Sequence, residues 1–231
     1  MNAPAFGASD TPPPAPASER LEAAVRDRLP EDFRAAVDFH GHLCPGLTMG
    51  YRAATIAMKR LCVSPGSDEQ LVGIVENDAC GVDAFQFLTG CTIGKGNLIY
   101  KDYGKQAFTL VRGANGVGVR VVMRPDAFET DAGHAALRER VVTGQASEDE
   151  RTLFWERHTE QSVALLELPE EPFATVAEVE VDLPPKARIF DSVVCSVCGE
   201  GVMEPRSRVR GGDPCCIPCS TRYGRGWEIN E

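Results

Sequence analysis

The chain has 231 residues, 43% of them hydrophobic, and a formal charge of −10 at pH 7. That length suits one full domain with a small appendage, and the acidic balance argues against general nucleic-acid binding, which needs a basic surface. No apolar run approaches the roughly 18 residues of a membrane span. The N-terminus lacks the apolar stretch of a secretory signal, so a cytoplasmic location is expected, and nine cysteines in a reducing compartment favour metal binding or thiol chemistry over disulfides.

In chain order, residues 1–17 hold five of the sixteen prolines and read as a disordered leader. Helical pattern begins near Ser18 and Pro30 interrupts it. A short helix is expected over Glu31–Phe39, burying Phe33, Ala36 and Val37. From Pro45-Gly46 to Leu61 the stripe Leu47, Tyr51, Ala54, Met58 and Leu61 predicts a longer helix. Its small residues Gly50, Ala53, Ala54 and Ala57 leave room for close packing. Leu71–Val75 reads as a buried strand, Glu76–Gly81 as a turn, and Val82–Leu88 as a helix ending at Gly90. Leu98–Lys101 is extended, and Gln106–Arg112 and Val117–Met123 form a hairpin around Gly113-Ala114-Asn115-Gly116. His134–Val142 is a helix with His134 on its surface. Ser147-Glu148-Asp149-Glu150 is a capping box that opens a helix to about Leu168. Phe173–Leu183 alternates like a strand, and Pro184-Pro185 closes the core domain. The division expected is a leader over 1–17, an α+β core over 18–185 and a C-terminal module over 186–231.

The C-terminal module carries the most specific spacing. Cys195-x2-Cys198 and Cys216-x2-Cys219 are separated by seventeen residues, the pattern of a four-cysteine structural zinc site. Cys215 could replace Cys216, but Cys216 gives the usual knuckle spacing. A metal matters here, because about 40 residues cannot build an adequate apolar core. Arg206, Arg208 and Arg210 would form one basic face on a strand. The module is nonetheless near neutral, with seven basic and six acidic side chains over 186–231. Nucleic acid is therefore not expected as a partner.

A second constellation lies far from the first. His40, His42 and Cys44 stand at alternate positions, so in an extended chain all three project to one side. Cys44 and Cys80 both precede helix starts, where the helix dipole lowers a thiol pKa. A His/Cys metal site is one reading, with Cys80 as a further ligand and Asp78 or Asp83 orienting an imidazole. The other reading is a turn whose histidines cap helices and whose cysteine is a small buried hydrophobe. His158 shares a helix face with Phe154, Trp155, Ser162 and Leu165 and reads as a satisfied core histidine. Cys62 reads as inert, and Cys91 sits in a loop of unassigned role. Gly94-Lys95-Gly96 lacks the Ser or Thr of a phosphate loop.

Phe39–Gly46, Glu76–Asp83, Leu88–Asn97, Lys101–Lys105 and the cysteine module together resemble the FmdE family of formylmethanofuran dehydrogenase components. The likeness runs over residues 31–123 and 186–222. It implies an FmdE-like α+β core, a mixed sheet with packed helices, and a C-terminal treble-clef or zinc-ribbon module. It also implies a homodimer and a core cleft that holds a second metal, Zn2+ as isolated. The resemblance carries His42, Cys44 and Cys80 over as ligands, with His40 as a fourth, and Tyr103 and Lys105 as residues lining the cleft. The family name comes from operons of a molybdenum or tungsten enzyme, so a metal-binding accessory protein for such oxidoreductases is the leading expectation. A stand-alone enzyme is the alternative, using a thiolate at Cys44 or Cys80 with Tyr103 and Lys105 nearby, or water on a cleft zinc. A regulator acting through the zinc module is a third.

Overall fold

The computed structural model describes residues 25–66, 70–127, 132–183 and 189–220. The leader, the helix start at Ser18 and the Pro184-Pro185 boundary lie outside the described residues. The chain forms two compact units, Met1–Lys186 and Ala187–Glu231. No helix among the described residues is long and apolar enough to cross a membrane.

The first unit is built on a five-stranded mixed sheet. Its strands are β1 (Leu71–Val75), β2 (Leu98–Tyr100), β3 (Ala107–Arg112), β4 (Val117–Met123) and β5 (Ala174–Glu180). They lie in the order β2-β1-β3-β4-β5, with only the β1–β2 pair parallel. Central β3 buries Ala107 to Val111 without a break, as a strand covered on both faces must. Edge strand β5 is buried only at Ala174 and then half-buried or exposed. Phe173 is not part of that strand. It ends a single helical turn, Glu170–Phe173, and is fully buried.

Five longer helices accompany the sheet. They are α1 (Glu31–His40), α2 (Pro45–Leu61), α3 (Gly81–Thr89), α4 (Ala132–Val142) and α5 (Glu148–Glu167). The Ser147–Glu150 capping box is present: Ser147 Oγ accepts from Glu150 N, and Glu150 Oε2 accepts from Ser147 N at 2.8 Å. Helix α2 lies against β3, β4, α3 and α5. Its small face is fully used, with Ala53, Ala54 and Ala57 buried and Phe33, Leu47, Phe85 and Phe108 filling the surrounding core.

The tightest contact in the unit is between α2 and the first residue of α3. A Cβ built on Gly50 would stand 1.9 Å from Gly81 O and 2.4 Å from Gly81 C. A Cβ on Gly81 would stand 2.9 Å from Gly46 O. A glycine inside a helix costs about 1 kcal/mol relative to alanine, and here it lets two backbones touch.

The second unit is two short hairpins. β6 (Ser192–Val194) pairs with β7 (Gly201–Met203), and β8 (Arg208–Arg210) pairs with β9 (Asp213–Cys215), both antiparallel. Each hairpin is continuous with one C-x2-C knuckle. This is the ribbon form of the expected module, and the chain beyond Ser220 lies outside the described residues. Arg206 falls in a 3-10 turn, Glu204–Arg206, so only Arg208 and Arg210 lie on the strand.

Gly50→Ala is predicted to force α2 and α3 apart and to destabilise the first unit by about 3 kcal/mol, read as a lower urea midpoint. Gly94→Ala, where an added Cβ meets nothing within 4 Å, leaves the midpoint unchanged. Equal midpoints for the two variants would rule the contact out as a constraint.

Candidate metal centres

The glycine contact sets two helix starts side by side, and each presents a cysteine. Cys44 is the N-cap of α2, in extended backbone, and its Sγ accepts a hydrogen bond from Leu47 N at 3.4 Å. Cys80 is the N-cap of α3, and its sulfur caps nothing. Behind Cys80, the turn is held firmly. Glu76 makes a bidentate pair with Arg120 at 2.8 and 2.9 Å. Asn77 donates to Lys105 O at 2.7 Å and accepts from Ala79 N at 3.1 Å.

The histidines arrive differently from the sequence expectation. Residues 40–44 are not an extended stretch. His40 ends α1, Gly41 turns the chain at φ +96°, and His42 lies in the corner before Cys44. A left-handed residue after a helix is natural for glycine, and Gly41 N donates to Val37 O at 2.8 Å. The two imidazole rings sit 4.5 Å apart. One ligand atom from each of His40, His42, Cys44 and Cys80 falls within 4.8 Å of the others.

Asp83, one turn into α3, fixes His40. His40 Nδ1 lies 2.7 Å from Asp83 Oδ2, while Nε2 faces Cys44 Sγ at 4.0 Å. This is the carboxylate–histidine arrangement that orients an imidazole toward a metal. Two thiols and two imidazoles are a donor set that suits zinc and other borderline-soft divalent ions in tetrahedral geometry. The residues present therefore fit such an ion.

The two thiols are not equivalent. The hydrogen bond to Cys80, then burial, push the Cys44 thiol far above its ordinary value. The same bond, assisted by His40 and His42 against the cost of burial, pulls Cys80 down to about 5. A helix start alone points to Cys44 as a reactive thiolate; its burial, 4% exposed, and its donated hydrogen bond shift that property to Cys80.

Beside the cluster lies a cavity of about 470 Å³, reached by His40 and Cys80 and also lined by Asp78, Asp83, Ile93 and Tyr100. Tyr103 and Lys105 are not among its lining residues. Both are exposed, with Lys105 Nζ 5.8 Å from the Tyr103 ring centroid. Lys105 supports the site through its backbone instead, its N–H donating to Glu76 O at 2.9 Å. Cys91 is fully buried outside the cluster, and Cys62 is an exposed C-cap at φ +51°.

Sequence reasoning missed an aromatic array behind His42. His42 meets Trp155 edge-on at 6.3 Å, Trp155 meets His158 at 5.8 Å, and His158 stacks on His134 at 5.9 Å. His134 is thus not a surface residue: it is 1% exposed against Phe154. Helix α4 has no apolar stripe to signal this burial. His158 is half-buried, and its Nδ1 has no hydrogen-bond partner. Burial, then the charges of His134, His42 and Arg138, push it down to about 4.

In the second unit, Cys195, Cys198, Cys216 and Cys219 bring their sulfurs within 4.8 Å of one another. Cys215, fully buried, is outside that set. Backbone N–H groups of the knuckles, with Cys216 N donating to Cys195 Sγ at 3.3 Å, pull Cys195 down to about 6. Such donors favour thiolates poised for a tetrahedral ion. All nine cysteines are free of disulfides.

Two outcomes are predicted. Asp83→Asn should weaken metal affinity at the first cluster by 10- to 100-fold, measured by competition with a chromophoric chelator, with far-UV circular dichroism unchanged. His158 is neutral when folded and protonates near 6.5 when unfolded. Its contribution to stability is whole above pH 6.5 and is lost as pH falls toward 4. Urea midpoints of the wild type should drop across that window, and His158→Gln should flatten the drop.

Known proteins resemble the chain in both units. The family model described as "FmdE, Molybdenum formylmethanofuran dehydrogenase operon" matches residues 39–175. A prokaryotic dksA/traR C4-type zinc-finger model matches residues 188–224. A relative from Archaeoglobus fulgidus named "Probable S-adenosyl-L-methionine-binding protein" is 35% identical over 216 residues, covering 89% of this chain. The chain spans 58% of that relative's length. The crystal structure of an FmdE-like protein of tungsten formylmethanofuran dehydrogenase from Syntrophus aciditrophicus has a TM-score of 0.53 at 23% identity, covering 86% of this chain and 91% of that one. It shares the fold. With the first model matching more than half of its residues, the chain belongs to the FmdE family.

Proposed function

We propose that this chain is a metal-binding accessory protein serving molybdenum or tungsten oxidoreductases. It acts in the cytoplasm as a homodimer, holding a divalent metal such as zinc at His40, His42, Cys44 and Cys80 and a structural zinc at Cys195, Cys198, Cys216 and Cys219. The observation that carries this reading is the first cluster, an S2N2 donor set assembled within 4.8 Å from α1, the corner after it and the starts of α2 and α3. When bound there, the metal supplies Lewis acidity and a fixed positive charge. Asp83 orients His40, and the Glu76–Arg120 pair holds the turn that delivers Cys80.

A second reading is favoured by the cavity beside Cys80 and by the printed name of the Archaeoglobus relative. In it, the metal-loaded cleft binds a small molecule of the S-adenosylmethionine class. The cavity volume lies within the range of about 300–1,000 Å³ usual for such ligands.

Metal analysis of the purified full chain tests the first reading. The wild type should carry two metals per chain. Cys80→Ser should carry one and remain folded. Cys198→Ser should also carry one, and should lose hydrogen-exchange protection over residues 192–219 alone. Retention of both metals by Cys80→Ser would sink the cleft site. Failure of the tagged chain to co-purify any molybdenum or tungsten enzyme from its own cells would remove the accessory role.

A further inference from the structure

The cavity beside the first cluster is electrostatically one-sided. Its lining carries two carboxylates, Asp78 and Asp83, and no lysine or arginine. Asp83 is committed to His40 at 2.7 Å. Asp78 makes no hydrogen bond or ion pair among the described residues, and it is exposed at the turn. The polar atoms of neighbouring Asn77 are occupied by Lys105 O and Ala79 N. Asp78 is therefore the one uncommitted charge on the wall. Across from these groups the lining is apolar, with Val82, Ile93 and Leu98, and Tyr100 offers a ring that is 45% exposed.

The metal does not reverse this balance. Two thiolates and two neutral imidazoles around a divalent ion leave the cluster formally neutral. An anionic head group would find no counter-charge in the cavity, and the chain as a whole carries −10. An organic cation finds a carboxylate and an aromatic face. A cation over an exposed ring gains a modest attraction, and a carboxylate in an open site adds a comparable amount.

We propose that the cavity recognises a sulfonium compound and that Asp78, with the Tyr100 ring, reads its positive charge. This rests on the small-molecule reading of the cleft and names what that reading leaves open: which feature of the ligand is selected, and by which residue.

Two probes isolate the feature. S-adenosyl-L-methionine and S-adenosyl-L-homocysteine differ by one methyl group and by the charge on sulfur. Titration calorimetry on the zinc-loaded full chain should show the sulfonium binding about ten-fold more tightly than the thioether. Asp78→Asn, in a side chain that holds nothing else together, should reduce that ratio to near one while leaving thioether binding unchanged. Raising the salt from about 50 to about 500 mM should shrink the wild-type ratio, since an exposed charge contact is screened. Equal binding of the two probes, or a ratio that survives Asp78→Asn, overturns charge recognition while the small-molecule reading stands. Binding of neither probe, with the zinc count intact, overturns both readings and leaves the metal site untouched.

Discussion

The first metal centre depends on a contact between two glycines. Gly50 on α2 and Gly81 at the start of α3 let the backbones meet where any side chain would hold them apart. Because side chains at a helix start project from the first turn, this contact places Cys44 and Cys80 beside each other. Everything else at the site is arranged around that fact. The αL turn at Gly41 brings His42 in from the end of α1, Asp83 sets the rotation of His40, and the Glu76–Arg120 pair and Asn77 hold the loop before Cys80.

The two cysteine clusters have opposite relations to their units. In the second unit, the buried apolar residues are Cys195, Cys215 and Cys216, with Val202 and Cys219 packed on them. There the donor set is the core, and zinc supplies most of the binding-coupled folding energy. The first unit has an extensive core of its own, from Phe33 through Phe85 and Phe108 to Phe173. Its cluster sits at the edge of that core, opens to a cavity through His40 and Cys80, and is not required to hold the unit together. Metal exchange is tolerable in one unit and disruptive in the other.

Much of this is legible from the residues, and the parts that are not share a cause. β1, the β3–β4 hairpin and the capped helix α5 follow from local signals: an apolar run, a glycine-bounded turn, a Ser-x-x-Glu box. The C-terminal sulfurs follow from spacing alone. Three further features belong to tertiary structure. His134 is buried because Phe154 and His158 stack on it, although α4 carries no apolar periodicity. The asymmetry of Cys44 and Cys80 arises from a hydrogen bond between residues on different helices. Lys105 serves through its peptide group, which no side-chain pattern reveals. The convergence of His40, His42 and Cys44 is legible in outcome while its geometry is not, because a helix end and a left-handed turn replace the extended stretch.

The corner that joins α1 to α2 has a consequence for chain entropy. Three of the four donors lie within five residues, and the fourth is at Cys80. An ion bound by all four would cross-link Cys44 to Cys80 and close the loop that contains α2 and β1. In the chain-entropy treatment of cross-links, closing a loop of that length restricts the unfolded ensemble by about 4 kcal/mol. The bound ion thus acts on the unfolded chain as well as the folded one, as a removable staple between the first helices of the domain.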